Sequence, residues 1–218
     1  MSDVNGGALQ LQAVHITLAG RVLIDHLQAT VAPGDCLTLM GPSGSGKSTL
    51  LAWLAGTLDP VFQASGQARI GADALTGLPP EQRGVGILFQ DDLLFPHLSV
   101  GGNLAFALPA AVRPRAVRLA QIDAALAEAG LAGMAPRDPA TLSGGQRARV
   151  ALMRTLLARP RALLLDEPFN KLDAQLRQDF RRFVFDHARQ RALPVLLVTH
   201  DDADAQAAGG QVITLGRP

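Results

Sequence analysis

The stretch Gly41-Pro42-Ser43-Gly44-Ser45-Gly46-Lys47-Ser48 constrains this chain more than any other. It follows a continuous apolar run, Leu37 to Met40, of the kind a buried strand makes. It leads straight into Thr49 to Ala55, a helix-forming segment that stops at Gly56. Strand, glycine-rich turn and helix in immediate succession form a cradle for phosphate oxygens. The glycines permit a tight turn whose amides face inward. The first turn of the helix adds unpaired amides and a favourable dipole. Lys47 is placed to neutralise the β and γ phosphates of a nucleoside triphosphate, and the Ser48 hydroxyl to ligate Mg2+. A coincidental Gly/Ser turn is the competing reading, but it leaves the flanking strand and helix unexplained. The chain has 18 arginines and only one other lysine, Lys171, so a lysine inside this loop stands out.

Leu163-Leu164-Leu165-Asp166-Glu167 reads as the second half of the same site. Apolar residues anchor a strand and two carboxylates emerge at its C-terminal end, the edge where open α/β sheets bind ligands. Asp166 is placed to hold Mg2+ through water and Glu167 to polarise an attacking water. The alternative is a solvated strand end with helix-capping acids. Gln90 follows Gly86 to Phe89, and His200 follows Leu196 to Thr199, so both can reach that edge. An amide there orients water and touches the metal; a histidine there bonds a terminal phosphate oxygen. Taken singly, each is equally a capping or loop residue. Leu142-Ser143-Gly144-Gly145-Gln146 opens a helix with a serine and two glycines, a second anion-binding surface. One explanation is that it serves the nucleotide of a partner subunit.

The remaining pattern is α/β. Strands are predicted over Ala8–Thr17, within Arg21–Val31, and over Gly66–Ile70, Val85–Phe89, Ala162–Leu165, Val195–Thr199 and Gln211–Leu215. Helices are predicted over Val100–Leu108, Val117–Ala129, Gly144–Leu157, Asp173–Arg191 and Asp201–Ala208. Alternation of this kind implies a largely parallel central sheet. The length of 218 residues suits one domain, residues 1–218, with a helical subdomain inserted over about 91–141. Hydrophobic residues make up 48% and charged residues 18%, so there is material for a core. A formal charge of +1 without a basic block gives no case for nucleic-acid binding. The lone Cys36, inside an apolar run, reads as a buried strand cysteine. His15, His26, His97 and His187 lack the linear spacing of metal ligands, so no zinc site is expected. Met1 to Gly7 is polar and lacks a hydrophobic signal segment, and no run is long enough to span a membrane, which leads to the expectation of a cytoplasmic protein.

Together these residues resemble the ATP-binding subunit of the ATP-binding-cassette (ABC) transporters, over roughly Leu9 to Leu215. On this resemblance Gly41 to Ser48 is the Walker A loop, extended by Thr49, and Leu163 to Glu167 is the Walker B strand. Gln90 is the Q-loop glutamine, Ser143, Gly144, Gly145 and Gln146 belong to the signature, Leu172-Asp173 ends the D-loop, and His200 is the switch histidine. The fold implied is the P-loop NTPase of ABC ATPase type: a mostly parallel sheet, N-terminal antiparallel strands and the helical insertion. The resemblance implies ATP and Mg2+, a head-to-tail dimer in which each ATP lies between one Walker A loop and the partner's signature, and Asp173 communicating between the two sites. It also implies an integral membrane permease, a peripheral position on the inner face of the membrane, and a solute-binding protein outside.

Two places depart from the family pattern. The aromatic residue, often Tyr, that stacks on adenine is absent: the chain has no Tyr, Leu18 and Ala19 occupy the approximate place, and His15 is the nearest ring. The D-loop reads Asn170-Lys171-Leu172-Asp173, where small residues are commoner at the first two places. The stretch Leu93 to Leu98 is read in two ways, as a docking surface for a membrane partner or as internal packing of the helical subdomain. Gly86 to Asp91 and Leu94 to Val100 look most like the importer branch, close to compact subunits for thiamine-like or other small solutes, and a C-terminal regulatory domain is not expected. An exporter or lipoprotein-release subunit is the alternative, and a soluble non-transport cassette ATPase a more distant one.

Overall fold

A computed structural model describes residues 7–216; the polar N-terminal stretch, residues 1–6, and residues 217–218 lie outside the described residues. Among the described residues nine strands and six α-helices follow in the order β1 (Leu9–Leu18), β2 (Arg21–Val31), β3 (Cys36–Met40), α1 (Lys47–Ala55), β4 (Phe62–Ile70), β5 (Asp73–Ala74), β6 (Val85–Leu88), α2 (Val100–Ala107), α3 (Arg115–Glu128), α4 (Gly144–Leu157), β7 (Ala162–Asp166), α5 (Ala174–Gln190), β8 (Val195–Val198), α6 (Asp202–Ala208) and β9 (Gln211–Thr214). Contacts divide the chain into two units. One takes in the residues up to Ile87, Arg161–Glu167 and those from Arg181 onward; the other takes in Leu88–Pro160 and Pro168–Phe180.

The first unit holds two sheets. Its five-stranded sheet has the order β6-β7-β8-β3-β9, with β7, β8, β3 and β9 parallel. Strands β3, β7 and β8 are buried along nearly their whole length, so they read as unbroken apolar runs. Its four-stranded sheet, order β2-β1-β4-β5, is antiparallel and alternates buried with exposed residues. Helix α1 joins the two: Leu50, Leu51, Trp53 and Leu54 pack into one cluster with Leu9, Ile16, Leu39, Leu164 and Leu196. The last carbonyls of α1, Trp53 O and Leu54 O, accept from the Arg83 guanidinium, whose charge suits a helix C-terminus. The Cys36 thiol lies on β3 of the five-stranded sheet, and burial pushes its pKa up to about 12.

Strand β4 begins four residues before the expected Gly66. Gln63 and Ser65 disguise it as a polar turn, yet they pair along β1. Gly66 is a mid-strand residue at φ 105°, and a Cβ there would lie 2.7 Å from the Ala13 carbonyl oxygen. Glycine is needed because the two backbones approach that closely.

In the second unit α2, α3 and α4 pack on one another around Leu104, Ile122, Leu126, Val150 and Met153. It begins three residues before the 91–141 stretch and continues through α4. Asn103, fully buried, organises the turn that precedes α2. Its Nδ2 donates to Phe95 O, Leu98 O and Ser99 O, and its Oδ1 accepts from Phe95 N at 2.8 Å. Ser99 caps α2 by accepting from Gly102 N.

The central strands set the core of the first unit. Leu196→Ala, at a fully buried position of β8, is expected to cost about 3 kcal/mol in equilibrium urea unfolding. A loss below about 1 kcal/mol would contradict its place in a close-packed layer.

Candidate functional site

The sheet unit brings three sequence segments to one edge. Strand β3 ends at Met40 and the chain turns through Gly41 to Gly46 into α1. Gly41 has φ 143°, and a Cβ there would meet Leu215 O at 2.6 Å, because the chain after β9 bonds back through Leu215 N to Met40 O. No side chain larger than hydrogen fits without moving that segment. Lys47 opens α1 with its side chain almost wholly buried, and its Nζ donates to Gly41 O at 2.7 Å and Pro42 O at 2.9 Å. An ammonium has three N–H groups, so one is left for a further acceptor.

The N-terminus of α1 differs from those of α2, α4 and α6. Those helices are capped by Ser99, Ser143 and Asp201. Helix α1 starts after Gly46 at φ 90° with no side-chain cap and no acid in its first turn. Its leading amides therefore keep their full capacity for an external anion. The Ser45 hydroxyl, fully buried inside the loop, has no hydrogen-bond partner. Uncapped amides, a buried ammonium and an unsatisfied hydroxyl are the donor set that polyphosphate requires. Ser43 and Gly44 are exposed at the crown of the loop, and Thr49 is half-buried on the first turn of α1.

Strand β7 delivers Asp166 beside α1: Ser48 Oγ donates to Asp166 Oδ1 at 3.1 Å. Two hard oxygen donors at this separation suit Mg2+, which takes oxygen ligands. Burial raises the Asp166 pKa, against the Ser48 hydrogen bond that lowers it; the neighbouring Glu167 carboxylate raises it further and Lys47 lowers it. Glu167 adopts φ 48°, a left-handed conformation rare for a side chain of its size, while its amide still bonds Val198 O at 3.0 Å. The turn takes its carboxylate off the strand alternation, so that Glu167 Oε1 lies 3.5 Å from His200 Nδ1.

His200 is exposed, but the loop that carries it is built on a buried network. Thr199 Oγ1 donates to Asp204 Oδ2 at 2.6 Å and accepts from Asp201 N at 3.1 Å. Arg181 pairs with both Asp204, itself fully buried, and Asp201. Sequence reasoning missed Arg181 and Asp204 because each reads as an ordinary charge on a helix. The signal available was a charge flanked on α5 by the apolar Phe180, Phe183 and Val184.

Gln90, Ser143 to Gln146 and Asp173 belong to the helical unit. Gln90 is exposed two residues beyond β6. Ser143 and Gln146 form a capping box: Ser143 Oγ accepts from Gln146 N, and Gln146 Oε1 accepts from Ser143 N at 2.9 Å. The two glycines differ. A Cβ on Gly145 would press on Leu176 at 3.2 Å, whereas one on Gly144 would meet only the end of Arg147 at 3.9 Å. Gly145 thus serves packing, and Gly144 leaves backbone open to solvent. The Asp173 carboxylate accepts from Leu176 N at 3.0 Å and so caps α5.

The strain on Asp166 gives a testable sign. A carboxyl whose folded pKa is raised destabilises the fold when ionised, and the cost disappears as pH falls below its ordinary value. Asp166→Asn is therefore expected to raise the thermal midpoint of the nucleotide-free protein at pH 7. That gain should shrink as pH is lowered toward the ordinary carboxyl value of 3.8. A variant that melts below the wild type at pH 7 would contradict a carboxylate whose desolvation outweighs its Ser48 and Lys47 contacts.

A family model described as ABC transporter matches residues 24–170. The chain is 51% identical over 199 residues to the uncharacterized ABC transporter ATP-binding protein YnjD of Escherichia coli (strain K12), covering 91% of each chain. It is 42% identical over 194 residues to the sulfate/thiosulfate import ATP-binding protein CysA of Mycobacterium tuberculosis (strain CDC 1551 / Oshkosh), covering 89% of this chain and 54% of that one. It is 41% identical over 207 residues to the Fe(3+) ions import ATP-binding protein FbpC of Streptomyces avermitilis, covering 95% of this chain and 59% of that one. The chain thus spans most of the first relative and little more than half of the other two. The family match takes in the phosphate loop, the acidic end of β7 and all the helices between them. With half of all positions shared along most of one relative, the chain belongs to the ABC transporter ATP-binding family and is an ATP-binding, ATP-hydrolysing subunit.

Proposed function

We propose that two copies of this chain bind ATP head to tail and that its hydrolysis drives solute import through an attached membrane permease. The observation that carries the hydrolytic part is Glu167, held at φ 48° beside the Ser48–Asp166 pair and His200. In this reading the Gly41–Thr49 loop and Lys47 hold the β and γ phosphates. Glu167 accepts the proton of the attacking water as its oxygen bonds to the γ phosphorus and the bond to the bridging oxygen breaks. His200 donates to a γ-phosphate oxygen, and Gln90 orients the water. Ser48, Asp166 and Gln90 are the residues assigned to Mg2+, which when bound offsets the charge building on the phosphates. Asp166 meets the cost of its burial in the same way, since a cation at its oxygens favours the ionised form.

The second copy is supported by Gly144. Its open backbone at the N-terminus of α4 is an anion site without an anionic side chain in its own helical turn. In the assembly Ser143, Gly144, Gly145 and Gln146 of one copy cover the γ phosphate bound by the other, and Asp173 lies where the copies meet. The γ phosphate then links the two copies, and its cleavage removes the link. Adenine rests near Leu18, Ala19 and His15, an aliphatic surface with one ring in place of a tyrosine.

A permease partner is supported by the surface of the helical unit. Leu93, Phe89 and Phe106 are exposed, and Phe106 meets Phe95 edge-on at 4.8 Å between ring centroids. The segment beneath is rigidly held: Arg154 donates to Leu93 O and Asp92 O, and Arg147 Nε pairs with Asp92 at 2.8 Å. An apolar patch on a fixed frame suits a helix of a membrane protein, which favours docking over internal packing for Leu93 to Leu98. Among the described residues no helix is long and apolar enough to cross a membrane. Import is supported by the similarity to CysA and FbpC, which are import ATP-binding proteins; with it we infer a solute-binding protein outside and this subunit on the inner face of the membrane. The solute is a small one by the same analogy.

Glu167→Gln tests the chemistry and the dimer together. Steady-state ATP hydrolysis is expected to fall by roughly 100-fold or more, while ATP drives the variant from monomer to dimer in size-exclusion chromatography with light scattering. Hydrolysis within a few-fold of wild type would remove Glu167 from the role of base. Loss of hydrolysis with no ATP-dependent dimer would contradict the shared site.

A further inference from the structure

His15, Asp25 and His26 place their ligand atoms within 4.8 Å of one another on the antiparallel sheet of the first unit. Linear spacing hides this cluster, because it is assembled across the β1–β2 ladder by an irregularity. Val14 pairs with Leu27 and Ile16 pairs with Ile24. Between those pairs β1 has one residue, His15, while β2 has two, Asp25 and His26. This is a β-bulge, and it re-aims side chains. In an unbroken strand Asp25 and His26 would face opposite sides. Here both are exposed, His26 at φ 45°, and both reach the imidazole opposite. His15 Nδ1 and His26 Nδ1 lie 3.2 and 2.6 Å from the same oxygen, Asp25 Oδ1, and the two rings are 4.9 Å apart.

We propose that His15, Asp25 and His26 form a binding site for a late first-row divalent cation, with Zn2+ as its simplest probe. Two imidazoles and a carboxylate are a ligand set that suits Zn2+, which takes three protein ligands and one water at open sites. Bond lengths of about 2.0–2.1 Å put tetrahedral donors about 3.3 Å apart. The His15–Asp25 separation is already close to this. His26 has to move back from Asp25 by about 0.7 Å and close on His15, the three ligand atoms lying within 4.8 Å of one another; its side chain is 70% exposed, which leaves room for both. Aspartate bonded to two histidines is also the ordinary picture of a surface ion pair, but an ion pair needs one histidine and no bulge.

The position gives the site consequence. The residues just before Asp25 pack on the phosphate loop: a Cβ on Gly46 would lie 3.1 Å from Leu23 Cβ and 3.3 Å from Ile24 Cδ1. An ion on Asp25 and His26 therefore stiffens the strand against which that loop rests.

The test is calorimetric titration of the metal-free, tag-free full chain with Zn2+, with Co2+ absorption as a second probe of tetrahedral coordination. One ion per chain with a micromolar Kd is expected. His15→Ala and His26→Ala should each weaken it by roughly tenfold or more, and His97→Ala should leave it unchanged. All three positions are at the surface, and circular dichroism confirms the fold of each variant. Absence of saturable binding below about 100 µM, or wild-type affinity retained in the His15→Ala or His26→Ala protein, would overturn the proposal.

Discussion

The structure depends on one arrangement: a lysine ammonium buried at the end of a parallel strand, at the start of a helix that no side chain among the described residues caps. Lys47 is almost wholly buried, and two backbone carbonyls of its own loop hold it there. Burying a cation is costly unless it is paired. The loop meets that cost only in part, because carbonyl dipoles solvate the ammonium without neutralising it. The uncapped amides of α1 and the unsatisfied Ser45 hydroxyl add further unmet donors at the same spot. Stability is given up locally to keep a concentrated set of donors free for an anion, as is expected where function and stability compete. Everything else in the first unit serves to hold that loop still. Strand β3 is buried between β8 and β9, Leu215 ties the chain after β9 to Met40, and Arg83 secures the far end of α1.

Opposite charge is managed in a complementary way. Asp166 is driven toward neutrality by burial and Glu167 is forced into a left-handed turn. Neither is a comfortable state for a carboxylate. In the proposed function a bound cation relieves the first, and a reacting water gives the second its purpose. The buried Arg181–Asp204–Thr199 network, by contrast, is internally matched, and it supports the loop bearing His200. Matched charge lies beneath the site and unmatched charge within it.

Much of this was legible in the sequence because the site is carried by local motifs. A glycine-rich loop between an apolar strand and a helix, or two acids at the end of Leu163 to Leu165, announces itself within a few residues. The parallel strands were legible as apolar runs for the same reason. What escaped was long-range or one-sided. Strand β4 was half hidden because Gln63 and Ser65 face outward. Asn103 looked like an ordinary helical polar residue, though it holds the turn at Phe95 through both ends of its amide. Gly144 and Gly145 look equivalent in sequence, and only the Leu176 contact separates them. The β1–β2 bulge was invisible, since no local pattern marks where a ladder slips by one residue.

The central claim is that Lys47 and the amides around it are where the triphosphate is held. Calorimetric titration of ATP into the Lys47→Ala protein, with its fold verified, tests this most directly. The account predicts that affinity falls by roughly 100-fold or more, since an aimed buried charge is lost while the loop keeps its shape. Affinity within about threefold of the wild type would mean the triphosphate is held elsewhere.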